Sequence, residues 1–200
     1  MTRARLEAFA DGVFAIAATL LIIDVGLPSS LHGSLRSELL ALWPQYFAYV
    51  VSFVTIGIMW VNHHRVMRQL ERIDEPFVFL NLGLLLGIAF VPFPTRVLAE
   101  FVRTDNGNAA AVLYGVTMTV IAVFFGSIWL YAVYGGRLLH PDADPRMVSG
   151  ITRSYAPGVP IYAFATLVGL VSAEASALLY GLFALFYMVS SAIFGADDTA

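Results

Sequence analysis

Three observations mark this 200-residue chain as an all-α integral membrane protein. Hydrophobic residues make up 59% of it and charged residues only 12%, and the apolar residues gather into six stretches long enough to cross a bilayer. A soluble domain has about a quarter of its residues charged, so a mean hydropathy of +0.79 leaves too little polar surface to face water all round. The chain has no cysteine, which excludes disulfides, thiolate catalysis and Cys-ligated metals. A net charge of −3 without a basic run argues against a nucleic-acid partner.

A membrane helix needs about 20 mostly apolar residues. The apolar stretches are 9–27, 39–61, 77–95, 108–136, 154–173 and 175–196; with their flanks they predict spans over 6–27, 39–62, 77–98, 108–136, 154–173 and 175–196. The last five apolar stretches contain no Asp, Glu, Lys or Arg. The first follows Arg3 and Arg5 and resembles a signal peptide, but Asp11 and Asp24 interrupt it and no small-x-small site follows, so cleavage is not expected. The third ends Phe90-Val91-Pro92-Phe93-Pro94-Thr95, with prolines where the helix is expected to stop. Only Glu174 separates the fifth from the sixth, which requires a tight turn; as one bent helix the pair would far exceed a bilayer's thickness. No repeat or low-complexity tract appears, and residues 1–200 read as a single membrane domain.

Arginine placement gives the orientation. With the N-terminus inside, Arg3, Arg5, Arg65, Arg68, Arg72, Arg137, Arg146 and Arg153 are cytoplasmic, against Arg36, Arg96 and Arg103 outside. The expectation is a multi-pass protein of the cell membrane with both termini cytoplasmic.

The first span carries a carboxylate near its start. A charge at membrane depth costs about 2.5–3.5 kcal/mol on insertion scales, so it is usually paired or functional. At about 100° per residue, with Ile16 as zero, Phe9 and Leu27 lie at about +20°, Gly12 at about −40°, Thr19 at about −60°, Leu20 at about +40° and Ile23 at about −20°. Asp11 falls at about −140°, off that stripe. The stripe alone is compatible with ordinary helix packing, and Thr19 with a bond to its own backbone. Arg5 and Asp11 are about 240° apart, so each needs a partner from another helix or chain.

The second span ends Trp60-Val61-Asn62-His63-His64-Arg65, at the depth of Arg5 and Asp11. Indole, imidazole and carboxylate are natural partners there, and Asn81 on the third span can bond across helices. Adjacent histidines point about 100° apart and no second ligand pair has the required spacing, so a hydrogen-bond network is expected rather than a metal site. Trp43, Trp129, Tyr131 and Tyr134 lie near span ends and read as interfacial anchors. No nucleophile–base pair is recognisable, so an enzyme is not expected.

These stretches together resemble the family of the lysosomal potassium channel known as transmembrane protein 175, in its short prokaryotic form. The family's mark is Arg-x3-Phe-Ser-Asp before an apolar helix; Arg5, Phe9 and Asp11 stand at that spacing, and Gly12 to Ala17 continue it. Trp60-x-x-His63 with His64-Arg65 resembles its second-helix pattern, and Asn81 to Glu100 its third. The likeness covers about the first half of the chain; the second matches only in span count. Ala10 replaces the motif serine, and Met67 stands where an aromatic is common.

The resemblance implies a potassium channel without a Thr-Val-Gly-Tyr-Gly filter, formed by four copies of the chain with the first helices lining a central pore. It puts the constriction on Ile16, with Leu20 and Ile23 above it, and the threonine tied to potassium preference at Thr19. The motif network falls on Arg5, Phe9, Asp11, Trp60, His63 and His64. No cofactor is implied beyond potassium as the permeant ion, in a lipid bilayer. A hydroxyl ring replaces little of an ion's water shell, so the expected preference for potassium over sodium is modest. Acidic residues Asp24, Glu38, Glu100, Asp105 and Glu174 on the outer side would raise cation concentration at the mouth. Two alternatives remain open at this point: a proton- or cation-coupled secondary transporter, which calls for repeats or broken helices, and a non-conducting membrane scaffold.

Overall fold

The computed structural model describes residues 1–26 and 34–195, and of Asp24 and 189–195 the backbone only. The chain is helical: α1 (Arg3–Leu20) runs into a 3₁₀ turn (Leu21–Asp24), followed by α2 (Leu35–Ala41), α3 (Trp43–Arg68), α4 (Glu75–Phe90), α5 (Pro92–Phe101), α6 (Gly107–Val133), α7 (Pro145–Tyr155), α8 (Gly158–Gly169) and α9 (Ala173–Gly195). Four stretches among the described residues are long and apolar enough to cross a membrane: Arg3–Ile23, Trp43–Arg68, Glu75–Phe101 and Gly107–Gly136. Leu27, the last expected member of the first-helix stripe, and Ala196, the end of the expected sixth span, lie outside the described residues.

Local sequence sets the helix starts. Thr2 Oγ1 accepts from Arg5 N at 3.4 Å, Asp74 Oδ1 from Phe77 N at 3.1 Å, and Asp144 Oδ1 from Arg146 N at 2.8 Å, each satisfying an otherwise orphaned N–H.

Two boundaries differ from the sequence expectation, both at prolines. The third span, expected to stop at its prolines by 95–98, passes through them: α4 gives way at Val91 to α5, and the apolar helical stretch runs to Phe101. Pro92 occupies the first turn of the new helix, where its missing N–H has no partner to lose. The fifth span is broken at Ala156–Pro157, which leaves α8 only 12 residues long. The turn before the last helix is Leu170–Ser172, and Glu174 lies in the first turn of α9.

Helix α6 forms the centre, packing on α4, α5, α8 and α9, while α1 packs on α3 and α4. Lipid offers no hydrophobic drive between helices, so close backbone approach through small residues carries the association. A Cβ on Gly83 would lie 2.4 Å from the Phe124 ring, and one on Gly115 2.2 Å from both Thr166 Oγ1 and Tyr180 Oη. Trp129, expected as an interfacial anchor, is instead buried and donates from Nε1 to Thr152 Oγ1 at 2.8 Å. Tyr131 is likewise committed, to Asp74; Trp43 and Tyr134 are exposed.

The connections sort to two ends. The N-terminus, the α3–α4 connection and the α6–α7 connection meet at one: Arg3 Nη1 donates to Leu70 O, Leu70 and Leu139 form an antiparallel bridge, and Glu71 N donates to Leu138 O at 3.0 Å. Gly135 and Gly136, at φ 64° and 65°, make the turn out of α6 that brings this second strand-like segment round. At the other end Asn108 Nδ2 donates to Leu170 O at 3.1 Å and its Oδ1 accepts from Ala173 N at 3.1 Å, pinning the α8–α9 turn to the start of α6.

Asp74 joins the first end together. Besides capping α4, it accepts from Tyr131 Oη at 2.7 Å and faces Arg137 Nη2 at 3.9 Å; Arg137 also lies 5.2 Å over the Tyr131 ring. Partial burial pushes the Asp74 carboxyl up, but the Tyr131 hydroxyl, the Phe77 N–H and the Arg137 guanidinium outweigh it and hold the group below its ordinary 3.8. A depressed folded-state value contributes stability that is present above the unfolded value and lost as pH falls through the folded one. Asp74→Ala should therefore destabilise by about 1–2 kcal/mol, mostly through the lost cap. Asp74→Asn should keep the cap yet flatten the acid limb of a thermal-unfolding series carried from neutral into acid pH.

Candidate functional site

Helix α1 has two faces of opposite fate. Leu6, Ala10, Phe14, Ala17 and Leu21, spaced four, four, three and four apart, are all buried against α3 and α4. The opposite stripe is uncovered in the subunit: Ile16 is 61% and Ile23 71% exposed, and Phe9, Gly12, Thr19 and Leu20 are exposed with them. The stripe read from the sequence is therefore not the intrachain packing face. Its packing alternative is excluded within one subunit.

Thr19 does make the backbone bond expected of a membrane threonine. Its Oγ1 donates toward Ala15 O at 2.9 Å and Ile16 O at 3.0 Å. With its one proton turned into the helix, the hydroxyl keeps its lone pairs for an acceptor or ligand role on the open side.

Beside the sealed face, α1 and the antiparallel α3 are joined by two polar rungs one turn apart. Trp60 Nε1 donates to Asp11 Oδ1 at 2.8 Å, and His64 Nδ1 lies 3.0 Å from Glu7 Oε1. Glu7 was not anticipated. The signal was available: Glu7 and Asp11 are four apart on one helix, as are Trp60 and His64 on the other. Deeper, the Asn81 amide bonds His63 Nε2 at 3.0 Å, and the Phe14 ring lies 5.5 Å from that of His63. Asn81 Oδ1 is buried without a partner. The two histidines thus diverge, one into the core and one to the rim.

The remaining motif residues separate. Phe9 joins the uncovered stripe. Arg5 is exposed, and among the described residues its side chain meets no partner within the chain; Arg3, two residues earlier, makes the long-range bond to Leu70 instead. Ala10, in place of the motif serine, is fully buried in the α1 seam, where a methyl leaves no hydrogen bond to satisfy. Among the described residues no group of three or more His, Asp or Glu side chains is placed to hold a metal ion.

The His63–Asn81 pair is the costliest point to disturb, because both partners are sealed from water. Asn81→Ala should lower stability by about 1–3 kcal/mol, the penalty for leaving a buried polar group unmatched. The double substitution Asn81→Leu with His63→Phe should lose less than the two single changes together, as read from detergent-solubilised unfolding of all four proteins.

Residues 5–92 match the sequence profile of the family described as "Endosomal/lysosomal potassium channel TMEM175". A protein of Streptomyces collinus named as a potassium channel is 43% identical over 185 residues, covering 92% of this chain and 90% of that one. The crystal structure of a lysosomal potassium-selective channel TMEM175 homologue from Chamaesiphon minutus superposes with a TM-score of 0.85 at 36% identity, over 94% of this chain and 97% of that one. The Gallus gallus protein named endosomal/lysosomal proton channel TMEM175 is 34% identical over 149 residues, which is 70% of this chain but only 29% of the animal protein. With two-fifths identity maintained over nine-tenths of both sequences, the chain belongs to the TMEM175 family, a family of multi-pass membrane proteins named as ion channels and not as enzymes.

Proposed function

We propose that this chain is the subunit of a potassium-permeable cation channel in the cell membrane, with four copies arranged around one axis and α1 innermost. The observation that carries the reading is the division of α1 into a sealed face and an uncovered stripe holding Ile16, Thr19, Leu20 and Ile23. A stripe on one helix cannot enclose a pore, and symmetric closure supplies the other walls. The bacterial relative's name and the fold shared with a potassium-selective channel homologue give the ion.

In this reading Ile16 is the constriction, with Leu20 and Ile23 above it, and it gates by excluding water until the α1 helices part or rotate. Thr19 offers a ring of hydroxyl oxygens one turn on. Such oxygens replace only part of an ion's hydration shell, so selectivity for potassium over sodium is modest. Six crossings per chain, with α7–α8 and α9 as the last two, put both termini on one side. The arginines counted as inner gather on the end where Arg3 meets Leu70 and Arg72 Nε donates to Arg137 O at 3.1 Å, which supports a cytoplasmic N-terminus. A proton-coupled transporter would need His63 or Asp11 in the permeation path. His63 instead sits behind Phe14 on the sealed side, and Asp11 is engaged by Trp60 off the stripe.

Two measurements test this. Native mass spectrometry of solubilised protein should give a dominant species of four times the 21.8 kDa subunit mass; a clean monomer or dimer would count against the assembly. In reconstituted bilayers Ile16→Asn should raise potassium conductance severalfold by wetting the narrowest ring. Thr19→Ala should leave current but move the bi-ionic reversal potential toward zero. If Ile16→Asn conducts no better than the wild type and Thr19→Ala keeps its reversal potential, the stripe does not line the pore.

A further inference from the structure

A cavity of about 380 Å³ opens between α3, α5, α6 and α9, at the end opposite the N-terminus, with no residue of α1 in its lining. That volume lies in the range of sites that hold a small molecule, about 300–1,000 Å³. Its walls are apolar, with Phe47, Val51, Leu98 and Ala177 among them. Its inner end is lined by Ser52 and Tyr114, whose hydroxyls close on each other at 3.1 Å and pass on through Thr95, 2.9 Å from Ser52, to Val91 O at 2.8 Å. That chain ends on a carbonyl, so the floor makes no demand on a polar occupant.

The rim is different. The exposed lining residues include Trp43, Arg103 and Glu174. Arg103 lies 5.8 Å over the Trp43 ring and is held at the lip by that contact. Among the described residues neither Arg103 nor Glu174 has an ion-pair partner, and they do not pair with each other. An apolar shaft under one cation and one anion, both uncompensated, matches an amphiphile whose head carries both signs.

We propose that this cavity binds a membrane phospholipid with a primary-ammonium head group, one acyl chain filling the shaft, the phosphate on Arg103 and the ammonium on Glu174. The rim charges select the head group. An anionic lipid such as phosphatidylglycerol would satisfy Arg103 but leave Glu174 beside a phosphate. A choline head offers Glu174 no N–H to donate. Membrane depth agrees: Trp43 begins α3 and Glu174 lies in the first turn of α9, the level at which aromatic and charged residues meet lipid head groups.

The test is independent of ion conduction. Delipidated full-length protein is titrated with phosphatidylethanolamine, phosphatidylglycerol or phosphatidylcholine of one acyl composition, and bound lipid is counted by native mass spectrometry. The wild type should bind phosphatidylethanolamine roughly fivefold more tightly than the other two, the order expected of one interfacial charge pair. Glu174→Gln should abolish that preference, and Arg103→Gln should weaken phosphatidylethanolamine and phosphatidylglycerol alike. Ala177→Phe and Ala99→Phe, which fill the shaft, should each remove the head-group-selective fraction while helical circular dichroism is unchanged. Lipid on the outer surface of the helices would bind every variant equally. Absence of a preference in the wild type, a preference that survives Glu174→Gln, or selective binding that persists in a folded shaft-filling variant would each overturn the assignment.

Discussion

The seam between α1 and the α3–α4 pair decides what the rest of the subunit can be. Membrane helices gain nothing from hiding apolar surface from lipid, so register must come from shape and polar contacts. Ala10 and Ala17 are small enough to let α1 lie close, Phe14 fills the space between them against His63, and His63 is fixed in turn by Asn81. The Asp11–Trp60 and Glu7–His64 rungs then set rotation and height at once, because two bonds one turn apart on antiparallel helices admit one alignment. With rotation fixed, the identity of the uncovered face is fixed as well. Ile16 faces outward from the subunit because Phe14 and Ala17 face inward.

The two ends of the bundle are locked by different chemistry. At the N-terminal end backbone pairs with backbone: Leu70 bridges Leu139, His140 N donates to Gln69 O at 2.9 Å, and Asp74 draws Tyr131 and Arg137 onto the same cluster. At the opposite end a single side chain, Asn108, serves as donor and acceptor to the α8–α9 turn. Backbone left unpaired at the edge of the apolar region is costly, and these contacts use it up. Helix α6 spans the distance between them, which is why it carries the densest burial, from Ala110 to Ala132.

Much of this was legible in the sequence, and the failures have physical causes. The stripe and the off-stripe Asp11 followed from angular bookkeeping, because a helix fixes side-chain direction by residue number alone. Trp60 as a partner followed from matched depth. The expected third span already crossed Pro92; the change of helix at Val91 and the extension to Phe101 were not readable, since proline ends one helix and begins another with the same local preference. The break at Pro157 was lost because hydropathy registers composition and not backbone geometry. Trp129 reads as an anchor from sequence because its position near a span end is the same whether the indole faces lipid or, as it does, Thr152. Arg3 and Arg5 are equally placed in the sequence, and only the fold shows that it is Arg3 which reaches Leu70.

The polar anchors are unevenly distributed along α1, and this bears on how a constriction at Ile16 could open. Arg3, Glu7 and Asp11 make their side-chain contacts in the first half of the helix, and Phe14 closes that half against His63. Beyond it the sealed face is held by Ala17 and Leu21 through apolar packing, and the helix tightens into a 3₁₀ turn from Leu21 to Asp24. Hydrogen bonds resist rotation strongly because they are directional, whereas methyl-to-methyl contacts change little over small displacements. Motion that leaves the motif network intact is therefore easiest in the segment that carries Ile16, Thr19, Leu20 and Ile23. In the proposed channel, the segment bearing Arg3, Glu7 and Asp11 would be the fixed end of a lever, and a water-excluding ring on the free end would wet or dry without breaking the bonds that hold the subunit together.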